Sequence, residues 1–289
     1  MSDTLQRFIF EDEPIRGEIV HLDATWRAVL ERHEYPPEIA NALGELMASA
    51  ALLAATLKFD GAVIMQIQGN GPVQLMVAEC TAEHTLRATA RWEGELEGQS
   101  FPGMIGSGRF VISLVPPDGG QPYQGIVELA GQSIAECLEH YMQRSEQLDT
   151  RLWLAAGKDR ASGMLLQRLP ERAERDADSW NRAVKLAETL KSEELLALSP
   201  RDLLHRLYHE ETLRLFDPRI VSFRCSCSAE RVGGMLRMMG HDEVSAIIDE
   251  RGSVEVKCEF CNRKYSYDRV DAEQLFASSN TAPATPTRH

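Results

Sequence analysis

The chain has 289 residues and a formal charge of −13 at pH 7, from 44 acidic against 31 basic side chains. That length accommodates about two domains with a sizeable core, and the acidic balance disfavours a polyanion such as nucleic acid as partner unless basic groups are segregated. Neither the start, Met1 to Asp12, nor the longest apolar run, Met47 to Leu57, has the pattern of a secretory signal or a membrane span, so a cytoplasmic protein with no membrane partner is expected.

Pro36-Pro37 opens a segment in which Ile39, Leu43, Leu46, Ala50, Leu53 and Leu57 recur at steps of four and three, the stripe of a core-facing helix. Val63, Met65 and Ile67 then alternate with Gln66 and Gln68, Gly69-Asn70-Gly71-Pro72 marks a turn, and Val73, Leu75 and Val77 come next. This predicts a β-hairpin over Ala62 to Val77. Strands are expected at Arg109 to Val115 and Tyr123 to Leu129, across the turn residues Pro116 to Gly120. Helical spacing returns over Gln132 to Gln147, with Ile134, Leu138 and Tyr141 on one side, before strands at Arg151 to Ala155 and Met164 to Leu169. Mixed helices and hairpins give an α+β class, with a mixed α/β N-terminal core domain over 1–170.

From Glu171 to Asp217, 19 of 47 residues are charged, 40% against 26% for the whole chain. Helix starts are marked at Ser179, at Ser192 before Glu193-Glu194, and at Ser199 with Pro200 in the first turn. Leu203, Leu204, Leu207 and Tyr208 make only a narrow stripe, so these helices depend on what they pack against. Residues 171–217 are therefore expected to form a metastable helical connector. A small cysteine-bearing domain is expected over 218–276, and a disordered Ser/Thr/Ala/Pro tail over 277–289.

Four of the six cysteines fall in that small domain, as Cys225-x-Cys227 and, thirty residues on, Cys258-x-x-Cys261. In a reducing compartment such a cluster is metal or redox chemistry rather than permanent disulfides. Four thiolates close a tetrahedral site for one zinc ion and leave no open position for catalysis. Iron–sulfur ligation uses the same donors, but two separated pairs are the zinc spacing. Arg224, Lys257, Arg263 and Lys264 adjoin the ligands and favour thiolate.

The same sulfurs cannot be both metal ligands and disulfides, so oxidation removes the site. Cys258 and Cys261 have the spacing of an easily closed pair, whereas Cys225 and Cys227 would close a small, strained ring. From the residues alone, an inert structural zinc site and a redox switch both stand. A zinc-ribbon nucleic-acid binder is disfavoured by eight basic against ten acidic residues between Val221 and Phe276. A thiol-disulfide oxidoreductase using Cys258 and Cys261 is a third reading. No Ser/His/Asp set or paired carboxylate stands out, and no enzymatic activity is expected.

Other residues carry structural readings. Gly69-Asn70-Gly71 is a turn rather than a phosphate cradle, because no Gly-Lys-Ser/Thr succeeds it. His205 and His209 are expected on a partly exposed helix face, Cys80 and Cys137 as buried, unreactive thiols, and Met235, Met238 and Met239 as packing inside the zinc module.

Cys225-Ser-Cys-Ser-Ala-Glu-Arg231, Cys258-Glu-Phe-Cys261 and Tyr265-Ser-Tyr-Asp268 resemble the zinc module of the 33-kilodalton heat shock protein family. The resemblance extends through Gly69-Asn-Gly-Pro72, Tyr141 with Ser145-Glu-Gln147, Gly163-Met-Leu-Leu-Gln167 and His209-Glu-Glu211 before Phe216, over nearly all of the chain to about residue 276. It implies a redox-regulated, ATP-independent holdase chaperone of the stress response that binds unfolding client proteins. In such a protein the reduced, zinc-bound form is quiet. Oxidation releases zinc and pairs Cys258 with Cys261 and Cys225 with Cys227, the connector loses structure, and a homodimer accompanies full activity.

Overall fold

The computed structural model of the protein describes residues 3–57, 59–118, 120–170 and 176–277. Its first strands, β1 (Thr4–Phe10) and β2 (Ile15–Leu22), have no counterpart among the elements expected from sequence. Nearly every residue of β2 is buried, so the alternation that betrays a half-buried strand is missing. The Asp3 carboxylate accepts from Ala24 N–H at 2.9 Å and from Thr25 N–H, capping α1 (Ala24–Leu30) from outside the helix.

Helix α2 (Pro37–Thr56) is the helix expected from the Ile39 to Leu57 stripe, started by proline in its first turn. It has the length and apolarity of a membrane span, yet 67% of that stretch is buried inside the fold. There it packs between two sheets, with Ile39, Leu43, Leu46, Met47 and Leu52 all at 0% exposure.

The predicted hairpin forms as β3 (Ala62–Gly69) and β4 (Val73–Thr81), in the register Gln68↔Leu75 and Ile67↔Met76. Next come β5 (Thr85–Trp92), the short α3 (Phe101–Ile105), and the expected β6 (Gly108–Val115) and β7 (Tyr123–Val127). Helix α4 (Ile134–Arg144) is capped by Ser133, whose hydroxyl accepts from Glu136 N–H, and it buries Ile134, Cys137, Leu138 and Tyr141 as its spacing predicts. The hairpin β8 (Thr150–Ala156) and β9 (Ala161–Arg168) closes the expected core.

The charged segment forms three short helices, α5 (Ser179–Ala187), α6 (Ser192–Ala197) and α7 (Pro200–Tyr208). Ser199 caps α7, accepting from Asp202 N–H, and the Glu194 carboxylate accepts from Lys191 N–H at 3.0 Å to cap α6. Ala183, Ala187, Leu195, Leu203, Leu204, Leu207 and Tyr208 cluster with Phe8, Phe10, Ile15, Ile19, Met164 and Leu166 of the strands. Each large apolar side chain buried there contributes about 1.5–3 kcal/mol, which lets helices this short persist. Residues 171–175 of the expected connector lie outside the described residues.

After α7 the chain is stitched to the strands by three very short pairings. β10 (Leu213–Leu215) and β11 (Arg219–Ile220) run antiparallel to β1, and β12 (Ser222–Phe223) runs parallel to β5. One six-stranded sheet therefore has the order β10-β1-β2-β9-β8 with β11 also on β1, and the other has the order β12-β5-β4-β3-β6-β7.

The chain divides into two compact units, Met1–Arg224 and Cys225–His289. Residues 218–224, expected in the cysteine domain, thus lie in the larger unit, tied there by β11 and β12. The smaller unit contains α8 (Ala229–Met239), α9 (His241–Arg251), the hairpin β13 (Val254–Lys257) and β14 (Lys264–Tyr267), and α10 (Arg269–Ala277). Ala277, expected to begin the tail, ends α10; residues 278–289 of that tail lie outside the described residues. The core of Leu236, Val244, Ile248, Val254 and Ala272 is small, and units of this size commonly draw on a metal or disulfides for stability.

Candidate metal centre

The β13–β14 hairpin, in the register Lys257↔Lys264, presents the loop Cys258 to Arg263 at its end. Cys258 N–H donates to Arg263 O and Asn262 N–H to Cys258 O, both at 2.9 Å, and Asn262 takes the left-handed conformation (φ 59°) that asparagine tolerates. The tight return turns Cys258 and Cys261 to the same side. The other pair arrives just ahead of α8. Ser228 Oγ accepts from Arg231 N–H at 3.2 Å, so Cys227 sits beside the electropositive amino end of that helix. Arg231 donates back to Ser226 Oγ at 2.7 Å, and the Tyr267 hydroxyl donates to Ala229 O at 2.8 Å, tying helix start to hairpin.

The four sulfurs of Cys225, Cys227, Cys258 and Cys261 all lie within 4.8 Å of one another. Cys225 Sγ is 3.7 Å from Cys258 Sγ, and Cys227 Sγ is 3.3 Å from Cys261 Sγ. A disulfide needs about 2.05 Å, so all four are free thiols. Four sulfurs at about 2.3 Å from a tetrahedral zinc would stand about 3.8 Å apart. The donor set and its spacing fit a closed metal site, and among the described residues no other such group of cysteine, histidine or carboxylate donors is found.

The cluster also sets thiol acidity. Burial works against the Cys227 thiolate, but hydrogen bonds from Tyr265 and the neighbouring thiols outweigh it and bring Cys227 down to about 7. Burial first, then the neighbouring thiols, push Cys261 up to about 12, and burial raises Cys225. The Tyr265 hydroxyl donates to Cys227 Sγ at 3.2 Å, and Arg263 lies 5.4 Å over the Tyr265 ring. Tyr265 is the member of the site that the cysteine spacing does not reveal. The Tyr-Ser-Tyr just after the second pair is its visible signal.

Other candidate residues take structural places. Cys80 and Cys137 are fully buried, and burial pushes Cys80 up to about 12 and raises Cys137. His205 of α7 and His209 at its C-terminal end are exposed and stack at 6.2 Å, and among the described residues they gather no third donor. The Gly69-Asn70-Gly71 turn docks on its neighbours. Asn70 Oδ1 accepts from Ser107 N–H at 2.8 Å, Gly71 N–H donates to Ile105 O at 3.0 Å, and a Cβ on Gly71 would meet Met104 O at 2.6 Å.

The methionines depart from expectation. Met235, Met238 and Met239 are 41%, 83% and 38% exposed rather than packed inside the small unit, because the α8 face that meets its core presents Leu236 and Gly233 instead.

The sequence pattern of the family described as Hsp33 protein matches residues 3–268. The chain is 53% identical to the 33 kDa chaperonin of Methylobacillus flagellatus, covering 100% of this chain and 99% of that protein, and 50% identical to that of Chromobacterium violaceum, covering 99% and 98%. The crystal structure of the 33 kDa chaperonin of Thermotoga maritima shares the fold, with a TM-score of 0.82 at 23% identity over 96% of this chain and 99% of that one.

Proposed function

The chain belongs to the Hsp33 protein family and is a chaperone, and from there we propose that it is an ATP-independent holdase, held quiet while its four clustered cysteines are reduced and switched on by their oxidation. The observation that carries this reading is the convergence of four free sulfurs within 4.8 Å in a unit whose apolar core is small.

Cys225, Cys227, Cys258 and Cys261 would hold one zinc ion as thiolates, and the ion would supply a structural crosslink that the small core lacks. A peroxide takes two electrons and two protons from each pair of thiols, giving one disulfide and two waters. Pairing Cys258 with Cys261 and Cys225 with Cys227 consumes all four donors. The small unit then loses its crosslink.

Chain connectivity carries this loss into the larger unit. Arg224, which donates from its N–H to Leu86 O at 3.0 Å, directly precedes Cys225. Loss of order in the small unit frays β12 and β11 from that end, and the charged segment 171–217, whose helices rest on one apolar cluster, loosens next. Departure of α5–α7 uncovers Phe8, Phe10, Ile15, Ile19, Met164 and Leu166, a surface for unfolding proteins. Dimerisation of the activated form and a cytoplasmic setting complete the proposal. The acidic balance around the cysteines supports client protein, not nucleic acid, as partner.

The test compares aggregation of a heat-unfolded client in the presence of reduced, zinc-loaded protein and of peroxide-treated protein. Suppression by the oxidised form alone is expected. Equal suppression by both leaves the metal a structural role only.

A further inference from the structure

The chain carries its own occupant on the free edge of β1. On one side β1 pairs with β2 from Thr4↔His21 to Ile9↔Arg16. On the other side, among the described residues, it is covered only by the segment after the charged helices, with Phe10↔Leu213, Ile9↔Arg214 and Phe8↔Leu215 and then Leu5↔Arg219 and Thr4↔Ile220. The ladder continues past the strand ends. Glu11 N–H donates to Thr212 O at 3.0 Å, Phe216 N–H to Arg7 O at 2.9 Å and Val221 N–H to Asp3 O at 3.2 Å. The cover is broken between Leu215 and Arg219, where Pro218 has no N–H to give.

The side chains of this cover have a definite chemistry. Leu213 and Leu215 lie on the apolar cluster of Phe8 and Phe10, while Arg214 is exposed and pairs with Glu11 at 2.7 Å. Phe216 is next, its carbonyl taking a hydrogen bond from the Gln6 side chain at 2.8 Å and its ring lying 6.0 Å from the Arg7 guanidinium. The pattern along the cover is apolar, basic, apolar, aromatic.

We propose that the β1 edge from Asp3 to Glu11 is a strand-docking site for extended client segments of that pattern, and that Leu213–Leu215 is a built-in mimic of the client. The inference rests on the holdase reading above and names the kind of chain the opened protein takes. While α5–α7 are packed, β10 is held beside β1 at a high effective concentration and outcompetes any free peptide. When they are not, a continuous strand pairs along the whole edge, including the stretch that the native cover skips. Backbone hydrogen bonds supply affinity for any extended chain, and the Phe8–Phe10 cluster with Glu11 supplies the preference.

The experiment uses the full-length protein and a fluorescent seven-residue copy of residues 211–217. Three controls accompany it: a scrambled peptide, a copy N-methylated at the arginine, and a copy with that arginine replaced by glutamate. Peptide binding, client aggregation and hydrogen exchange of the Ile9 and Glu11 amides are measured in reduced and oxidised protein. The copy is expected to bind the oxidised form only and to protect the Ile9 and Glu11 amides. N-methylation removes one ladder donor and weakens binding about tenfold, and Glu11→Lys reverses the preference between the arginine and glutamate peptides.

Oxidised protein that still prevents client aggregation but binds the N-methylated copy equally well, or leaves the Ile9 and Glu11 amides unprotected by peptide, overturns the docking site and leaves the holdase reading intact. Oxidised protein that fails to prevent aggregation and keeps those amides as protected as in the reduced form overturns both.

Discussion

The Tyr265 hydroxyl donates to Cys227 Sγ at 3.2 Å across 38 residues of sequence. The bond stabilises negative charge on one sulfur of the cluster, as donors behind metal ligands do. Tyr265→Phe keeps the ring that lies under Arg263 and removes only the donor. Zinc affinity, measured by competition with a chromophoric chelator, is expected to fall about tenfold with helix content unchanged. Wild-type affinity in the variant would show that the hydroxyl does nothing for the sulfur.

Metal removal should act first on the smaller unit and spare the main core of the larger one. Treatment of reduced protein with a strong chelator is expected to abolish hydrogen-exchange protection in α8, α9, α10 and the β13–β14 hairpin, whose shared core is small. Protection in α2 and in the strands packed on it should persist, because that core stands without the cysteines. Retained protection in α8–α10 after verified zinc loss would contradict a metal-dependent fold.

Leu203 is fully buried where α7 meets the strands. Leu203→Ala should cost about 2–5 kcal/mol locally, enough to loosen short helices that rest on one apolar cluster. The variant is expected to suppress client aggregation partly without any oxidant, while retaining its zinc. A variant that loosens the segment by hydrogen exchange and yet stays inactive when reduced would separate the segment from the control of activity.

Two buried groups of β2 give pH dependences of opposite sign. His21, hydrogen-bonded to the Leu195 carbonyl of α6 at 3.2 Å, is held down to about 4 by burial and then by Arg160. Its stabilising contribution is complete above the ordinary value of 6.5 and is lost as pH falls towards 4, amounting to about 3 kcal/mol. Glu18 is pushed up to about 7 by burial, against the pull of Arg7, Arg219 and Arg16. Its contribution is present below 4.5 and is lost as pH rises through 7. Urea unfolding between pH 4 and 8 should show His21→Gln flattening the acid side and Glu18→Gln flattening the neutral side. Parallel wild-type and variant profiles would show that neither group titrates as stated.

The legible parts of this fold were those whose burial is one-sided. Helix α2 and the β3–β4 hairpin expose an uninterrupted period of 3.6 or 2. Strand β2 is buried on both faces and shows neither. Strands β10, β11 and β12 are two or three residues long and exist only because β1 and β5 offer them partners about 140 to 220 residues away. The cysteines were legible by type and spacing, whereas Tyr265 and the exposed methionine face needed the hairpin and α8 in place.

The buried methionines Met47, Met65, Met76, Met104, Met142 and Met164 and the buried Cys80 and Cys137 belong to the larger unit, while the accessible thiols and the exposed Met235, Met238 and Met239 belong to the smaller. Among the described residues, an oxidant arriving from solution therefore meets sulfur in one place only. The larger unit, with the apolar cluster beneath α5–α7, is thus chemically quiet towards oxidants. The part that reacts can be oxidised and later reduced while the sulfur of the larger unit stays untouched.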